Sequence, residues 1–534
     1  GHWMVPPAMS GEGRPAVEPR TAERLERLAY RLEALEESAL GPGPGPAPPG
    51  VPSLWNPAIV TRILAADSSR VLAIDPAIVA HGGYRRPVWL AARVLSGNRL
   101  TVSALADDHT STAGEPLFYQ AGDSALTTSP APLVELPEAS FHPEAEPYRV
   151  NGREGPGVPL AGLVRRLALA WALQAGGVLG RQGDGARVDW ALAPEERLAR
   201  LAPFADWGAA VPRLVEGELF WVADGYLATG TFPLSRRVEW RGRQVGAVEA
   251  GLLGVVSAAT GATRIYLRPG AGPLAEAWAG VSRGVIEPAS SVPEAILRAA
   301  PYPLELFRVQ ARQIEQGSWR PGALWGRPPT DAGEPARENI AWTGDTTGPL
   351  LLASYERASE RRTTAVLVGR REEGQDLLTL VRLDSVGALP SRSALESRWS
   401  RFASFDALGD SIRDDGGSLE KGPVRLELEP AGAVAYQSFF ARRGQEKPRL
   451  AWVSIAAGAD RLGAGRSVAE AWSNLQGTAV PSMPGSAPAT RLDEARRWLE
   501  RADSALRVAD WSAFGRAWHG MRRALGMPAD TALP

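Results

Sequence analysis

Not one cysteine occurs in the 534 residues. Disulfides, thiolate catalysis and cysteine-based zinc or iron–sulfur centres are therefore excluded. Lysine occurs only at Lys421 and Lys447, so the remaining basic residues are all arginine. An excess of either charge is missing as well. Because 59 basic residues face 60 acidic ones, the formal charge of -1 removes the long-range basic field of a nucleic-acid binder, and no nucleic-acid partner is expected. Long apolar runs are also lacking. The best, Leu167 to Gly180, falls short of the roughly 20 residues that a membrane-spanning helix needs. It follows Arg165 and Arg166 and reads as part of a buried helix over 160–177.

Histidine is scarce, with five in all. The opening Gly1-His2-Trp3-Met4 resembles a protease scar, so His2 reads as non-native and there is room upstream for a native signal or membrane segments. No two of His81, His109, His142 and His519 lie at the i, i+4 spacing of a helical zinc pair. Asp107-Asp108-His109 offers metal-ligand types, but three successive residues in an extended turn point different ways, which favours a solvated turn. Neither metal nor cofactor is expected. Ser-His-Asp catalysis would need a serine on a strained turn beside a base, and none is read here. Gly463-Ala-Gly-Arg-Ser467 lacks the Gly-Lys-Ser/Thr of a phosphate loop, so Ser467 reads as a helix cap.

Glycine and proline are plentiful, at 57 and 45 residues, which implies many turns. The expected class is α+β, with mixed and antiparallel sheets, packed helices and a C-terminal helical hairpin. After a leader at 1–20, the 3-to-4 spacing of Leu25, Leu28, Leu32, Leu35 and Ala39 predicts an amphipathic helix over 21–40. A Gly/Pro tether follows at 41–50. Residues 51–150 read as a mixed α/β segment, 151–340 as an α+β core with hairpins, and 341–476 as a second α+β segment. Glu216-Gly217 marks a hairpin turn between apolar runs, and 252–257 with 263–267 repeats the pattern. A helix over 393–408 is expected within the second segment, and 477–490 reads as a linker. In the hairpin at 491–534, Trp498, Trp511 and Trp518 are too many indoles for two helices to bury between themselves, so they are candidate partner-binding residues.

One polar and aromatic cluster stands out for a sugar or peptide ligand. Asp224 and Tyr226 lie beside Trp221 and ahead of Arg236 and Arg237, and Arg308 sits in the apolar run Phe307-Arg308-Val309. Trp221, Asp224, Tyr226, Arg236 and Arg308 are the candidate ligand-binding residues. A hairpin end capping its own turn, with Arg308 in a structural ion pair, is the plainer reading. No catalytic residue is assigned.

Several segments together carry a resemblance to a known family. They are Leu54-Trp-Asn-Pro57, Gly157-Val-Pro-Leu-Ala-Gly-Leu-Val-Arg-Arg166, Arg197-Leu-Ala-Arg-Leu-Ala-Pro-Phe204, Leu219-Phe-Trp-Val-Ala-Asp-Gly-Tyr226 and Tyr302-Pro-Leu-Glu-Leu-Phe-Arg-Val-Gln310. Val434–Phe440, Ser467-Val-Ala-Glu-Ala-Trp472 and Ala509-Asp-Trp-Ser-Ala-Phe-Gly515 continue the order. The chain resembles the bacterial uncharacterised protein family numbered 0182, large integral membrane proteins with a long extracytoplasmic region. Gly225 departs from the Asp-Ala-Tyr expected there. The resemblance implies a membrane-anchored native protein whose present region is extracytoplasmic, and it supplies no activity. A non-enzymatic interaction or assembly module of the cell envelope is the expected function, with an envelope protein or cell-wall polymer as possible partner. The alternative is an envelope hydrolase or transferase working through a carboxylate/aromatic cleft.

Overall fold

In the computed structural model, the described residues are 19–476 except 33–34, 41–52, 66–68, 82–83, 96–98, 123–125, 137–139, 144–147, 154–156, 181–184, 233–234, 317–334, 343–345, 358–360, 384–388, 430–431 and 459–460, together with Trp498, Ala502, Ala517 and Trp518. Residues 1–477 and 478–534 form two compact units. Among the described residues no helix is long and apolar enough to cross a membrane.

Three large sheets make up the first unit. The sheet nearest the N-terminus is built on the long antiparallel strands Arg70–His81, Tyr84–Leu95 and Arg99–Thr110. In the middle sheet Val211–Val215, Glu218–Thr229, Ala247–Ser257 and Thr263–Leu267 pair antiparallel in turn. The third sheet has nine strands in the order Leu35–Leu40, Gln375–Leu383, Arg362–Glu372, Thr346–Arg357, Arg337–Trp342, Ser418–Glu429, Gly432–Arg442, Arg449–Ala457 and Arg461–Gly465. Its first pair and its central pair, Arg337–Trp342 with Ser418–Glu429, are parallel, and the rest antiparallel. The class is thus α+β with mixed and antiparallel sheets.

Turn chemistry explains the hairpins. Glu216 and Gly217 both have positive φ, 52° and 83°, so Val215 pairs with Glu218 across a two-residue turn of the kind that matches strand twist. The second hairpin closes with Val256 opposite Thr263.

Apolar cores cross between segments. Val88, Leu90, Leu100 and Val102 pack in one cluster with Leu198, Leu219, Trp221, Leu252 and Ile265. The helix Pro57–Ala65 buries Ile59, Val60, Ile63 and Leu64 against Tyr436, Phe440, Val453 and Ile455 of the nine-stranded sheet. A backbone bond from Leu450 N to Gly114 O, 2.7 Å, ties the same two regions. Gly114 has φ 75°, and a Cβ there would lie 2.0 Å from Leu450 O, so only glycine permits this approach.

Three sequence expectations are corrected. The helix expected over 21–40 is the helix Pro19–Ala29, and Leu35–Leu40 is instead an edge strand. Arg31 adopts φ 55°, and Leu32 N donates to Arg27 O at 2.7 Å, so the helix ends in a left-handed turn. The helix expected over 393–408 is two helices, Arg392–Trp399 and Ala403–Asp414. The helix expected to be buried over 160–177 is the ten-residue helix Leu163–Ala172 with Ala170 as its buried residue, followed by a 3₁₀ turn at Gly176–Leu179. Leu163, Val164, Leu167 and Trp171 all face solvent, because the helix is apolar on two sides and only one is covered. The tether at 41–50, the linker at 477–490 and most of the C-terminal hairpin lie outside the described residues. Trp498, Ala502, Ala517 and Trp518 are each helical.

Candidate functional site

Strand parity decides what the candidate cluster becomes. On Glu218–Thr229, Trp221 faces the core beneath the first sheet, and its Nε1 donates to the Phe141 carbonyl at 3.3 Å. Asp224 and Tyr226 face the opposite side. Both are buried, and the Tyr226 hydroxyl donates to Asp224 Oδ2 at 3.3 Å while accepting from Glu305 N at 3.1 Å. Burial and then the Asp224 carboxylate push the Tyr226 phenol well above its ordinary value, so it stays a donor. Gly225 lies between them with a packing reason for its identity. A Cβ would meet Leu252 Cβ at 2.8 Å and the Trp207 ring at 2.9 Å.

Asp224 is one member of a buried chain of charge. It pairs with Arg268 through Oδ1 and with Arg337 Nη2 through Oδ2 at 3.5 Å. Arg337 Nη1 reaches Asp75 Oδ1 at 3.3 Å, and Asp75 also pairs with Arg213. In the other direction Arg268 Nε meets Asp376 Oδ2 at 2.8 Å, and Arg371 Nε lies 3.5 Å from Asp376 Oδ1. Carbonyls satisfy further donors: Arg268 Nη2 bonds Pro301 O at 2.6 Å and Arg213 Nε bonds Ala299 O at 2.8 Å. Burial lowers Arg268, but Asp376 and Asp224 outweigh it and leave that guanidinium raised. Arg371 is lowered to about 10 by burial and then by Arg268. Four arginines thus face three aspartates, with an arginine at each end of the chain.

An open pocket of about 430 Å³ lies beyond the strand Arg337–Trp342. Arg337 joins the buried chain, whereas its neighbour Glu338 lines the pocket. The helix Leu304–Gln316 contributes Arg308 and Arg312, Arg392 opens another helix at the rim, and Arg425 comes from Ser418–Glu429. Among the lining residues Glu338 is the single carboxylate, and its Oε2 is held by Arg425 Nε at 3.0 Å. Arg308 pairs with Glu305 at 2.7 Å. Arg312 Nη1 bonds Glu239 O at 3.2 Å, and Arg392 Nη2 bonds Val424 O at 2.8 Å. Leu352, Ala353, Val424 and Leu426 form apolar walls.

The five candidate residues are therefore divided. Asp224 and Tyr226 share the buried chain, Trp221 lies on the far face, and Arg308 lines the pocket. Arg236 is exposed, and its carbonyl accepts from Tyr30 Oη. Of the three tryptophans, Trp498 is half-buried, Trp518 is exposed and Trp511 lies outside the described residues. Arg213, Arg268, Arg337 and Arg425 escaped the sequence reading. Arg213 and Arg425 carried a signal, a charged residue among apolar neighbours on a strand, as in Val211-Pro212-Arg213-Leu214-Val215 and Val424-Arg425-Leu426, whereas Arg268 lies just past its strand and Arg337 opens its own.

Asp107 is fully buried and accepts from Ser53 Oγ at 2.7 Å, Trp89 Nε1 at 2.8 Å and Trp55 N at 3.3 Å. It is thus a buried structural acceptor in place of the solvated turn expected, and Asp108 bonds His109 Nδ1 at 2.8 Å. Among the described residues no group of three or more metal-ligating side chains converges. Gly280-Val-Ser-Arg-Gly284 fits the Gly-x-Ser-x-Gly pattern, which the sequence reading passed over. Ser282 caps the C-terminus of Pro273–Val281, donating to Ala279 O at 2.9 Å, so it is no strand-to-helix nucleophile turn.

These features define a class: an α+β protein with structural internal charge and a cationic pocket. Residues 134–316 match the model of UPF0182, an uncharacterised protein family. A UPF0182 protein of Saccharopolyspora erythraea is 22% identical over 472 residues, covering 80% of this chain and 47% of that protein. Another, of Rhodococcus opacus (strain B4), is 24% identical over 281 residues, covering 47% of this chain and 27% of the relative. A third, of Pelotomaculum thermopropionicum, is 29% identical over 177 residues, covering 32% and 19%. The chain spans less than half the length of each of these relatives. No solved structure matches it.

Two predictions test the site. Asp224→Asn should lower the unfolding free energy by about 3 kcal/mol or more, since it leaves Arg268 and Arg337 buried beside a neutral group; urea unfolding that matches the parent would refute the structural role. Burial raises Asp107 from 3.8 to about 6, against the opposing pull of Arg425 and its hydrogen bonds. A raised acid contributes stability below its unfolded pKa and loses it as pH rises through the folded value. The parent should therefore lose on the order of 2 kcal/mol relative to Asp107→Asn between pH 4 and 6.5, and parallel stability curves would contradict this.

Proposed function

We propose that this region is a non-enzymatic binding and assembly module of the cell envelope, the extracytoplasmic part of a membrane protein, and that its pocket takes an anionic group carried on an apolar body. The observation that carries the reading is the pocket lining, four arginines and one already-paired carboxylate beside Leu352, Val424 and Leu426. A cationic recess with apolar walls suits a phosphate or carboxylate on a hydrocarbon. Membrane anchorage and location are supported by the family resemblance.

The alternative, an envelope hydrolase or transferase, calls for two acidic groups converging with aromatics in a cleft. The pocket lining holds Glu338 alone as an acid and includes no aromatic side chain. Asp224, the carboxylate singled out in the sequence, is enclosed by arginines.

Calorimetry with decyl phosphate and with inorganic phosphate tests the pocket. Decyl phosphate should bind the more tightly, and Arg312→Gln should weaken it about tenfold or more, the loss of one charge-assisted hydrogen bond of roughly 1.5 to 3 kcal/mol. Equal affinity of the parent and Arg312→Gln would sink the reading. Val281→Cys, at an exposed position, gives a topology test in a whole protein whose cysteines outside this cysteine-free region are replaced by serine. A membrane-impermeant maleimide should label it in intact cells, and labelling only after lysis would place the region on the cytoplasmic side.

A further inference from the structure

The helix Leu163–Ala172 uses only one of its two apolar sides. Leu169, Ala170 and Leu173 pack with Leu160, Val178, Ala186 and Val188 onto a small sheet formed by Tyr148–Asn151, Val158–Pro159 and Arg187–Trp190. Arg166 braces this side, its Nε donating to Leu160 O at 2.9 Å. The opposite side carries Leu163, Val164, Leu167 and Trp171, which are 71%, 81%, 50% and 80% exposed. At about 100° per residue these four fall within roughly a 100° arc, one continuous stripe along the helix. Leu179, in the turn that follows, is exposed as well. Exposed single apolar residues are ordinary, whereas a clustered stripe with an indole at one end marks a contact surface.

Charge selects the occupant. Between Glu154 and Asp184 the sequence has no acidic residue but contains Arg165, Arg166 and Arg181. This local excess stands out in a chain whose formal charge is -1. A two-fold contact with a second copy would bring Arg165 and Arg166 towards their counterparts without an acid in the segment to pair them. An anionic lipid surface supplies both complements, negative headgroups for the arginines and hydrocarbon for leucine, valine and tryptophan, with the indole at the boundary.

We propose that Leu163–Ala172 is an interfacial helix that lies on an anionic membrane surface through Leu163, Val164, Leu167 and Trp171, with Arg165 at the headgroups. This rests on the helix and its charge and does not depend on the arginine pocket, so the two stand or fall separately.

Vesicle co-sedimentation of the full chain tests it. Binding to vesicles of phosphatidylglycerol mixed with phosphatidylcholine should exceed that to phosphatidylcholine alone by about fivefold, as one arginine near an anionic surface implies. Leu167→Ser combined with Trp171→Ser should abolish sedimentation while leaving the melting temperature unchanged, since both residues are exposed. Arg165→Gln, which keeps the stripe intact, should weaken binding about fivefold on the anionic vesicles only. The proposal is overturned if the parent stays in the supernatant with both vesicles, if the double variant sediments like the parent, or if Arg165→Gln leaves the lipid preference intact. It is equally overturned if light scattering without lipid shows a dimer that the double variant dissolves, which would make the stripe a contact between copies.

Discussion

The chain of charge from Arg213 through Asp75, Arg337, Asp224, Arg268 and Asp376 to Arg371 touches every large sheet of the first unit. Asp75 comes from the first sheet, Arg213 and Asp224 from the middle one, with Arg268 just beyond the strand Thr263–Leu267, and Arg337, Arg371 and Asp376 from the nine-stranded sheet. Such pairs contribute little net stability, because desolvating each ion costs several kcal/mol and the partner returns about that much. Their effect is on arrangement. Apolar faces tolerate a shift by one residue far better than a buried guanidinium tolerates losing its carboxylate, so the sheets meet where all seven groups find partners. The carbonyls of Pro301 and Ala299, held by Arg268 and Arg213, bring the segment before the helix Leu304–Gln316 under the same constraint.

The pocket follows from that arrangement. Alternation along Arg337–Trp342 sends Arg337 into the buried chain and Glu338 to the pocket, so one strand forms the wall between structural and accessible charge. Arg425 then joins the pocket to the region around Ser53 and Trp55, since its Nη1 reaches Ser53 Oγ at 2.9 Å and its Nη2 reaches Trp55 O at 2.7 Å. Asp107 shares Ser53 as a partner, and so the Leu54-Trp-Asn-Pro57 motif is held by side chains from two sheets.

Local chemistry was legible in the sequence where one residue decides the backbone. Glu216-Gly217 announced a hairpin because a two-residue turn needs positive φ twice, and Pro194 with two glutamates behind it announced the helix Pro194–Leu201. The candidate site was legible only in part. Asp224 and Tyr226 share a face because they are two residues apart on a strand, which sequence alone allows. Their partners Arg268 and Arg337 lie 44 and 113 positions further along the chain, and nothing local marks which arginine meets which aspartate. Trp221 was grouped with Asp224 by proximity in sequence, yet an odd separation along a strand places them on opposite faces.

The helix Leu163–Ala172 shows why burial is harder to read than pattern. Its apolar residues nearly encircle it, and a helix apolar all round is ordinarily enclosed. Enclosure requires covering surface on both sides, however, and this helix stands on a three-stranded sheet with only Leu169, Ala170 and Leu173 turned inward. Composition counts apolar side chains without counting the faces available to cover them. The same leucines would have specified a core had a second layer packed across Trp171; lacking one, they specify a surface whose chemistry the flanking arginines complete.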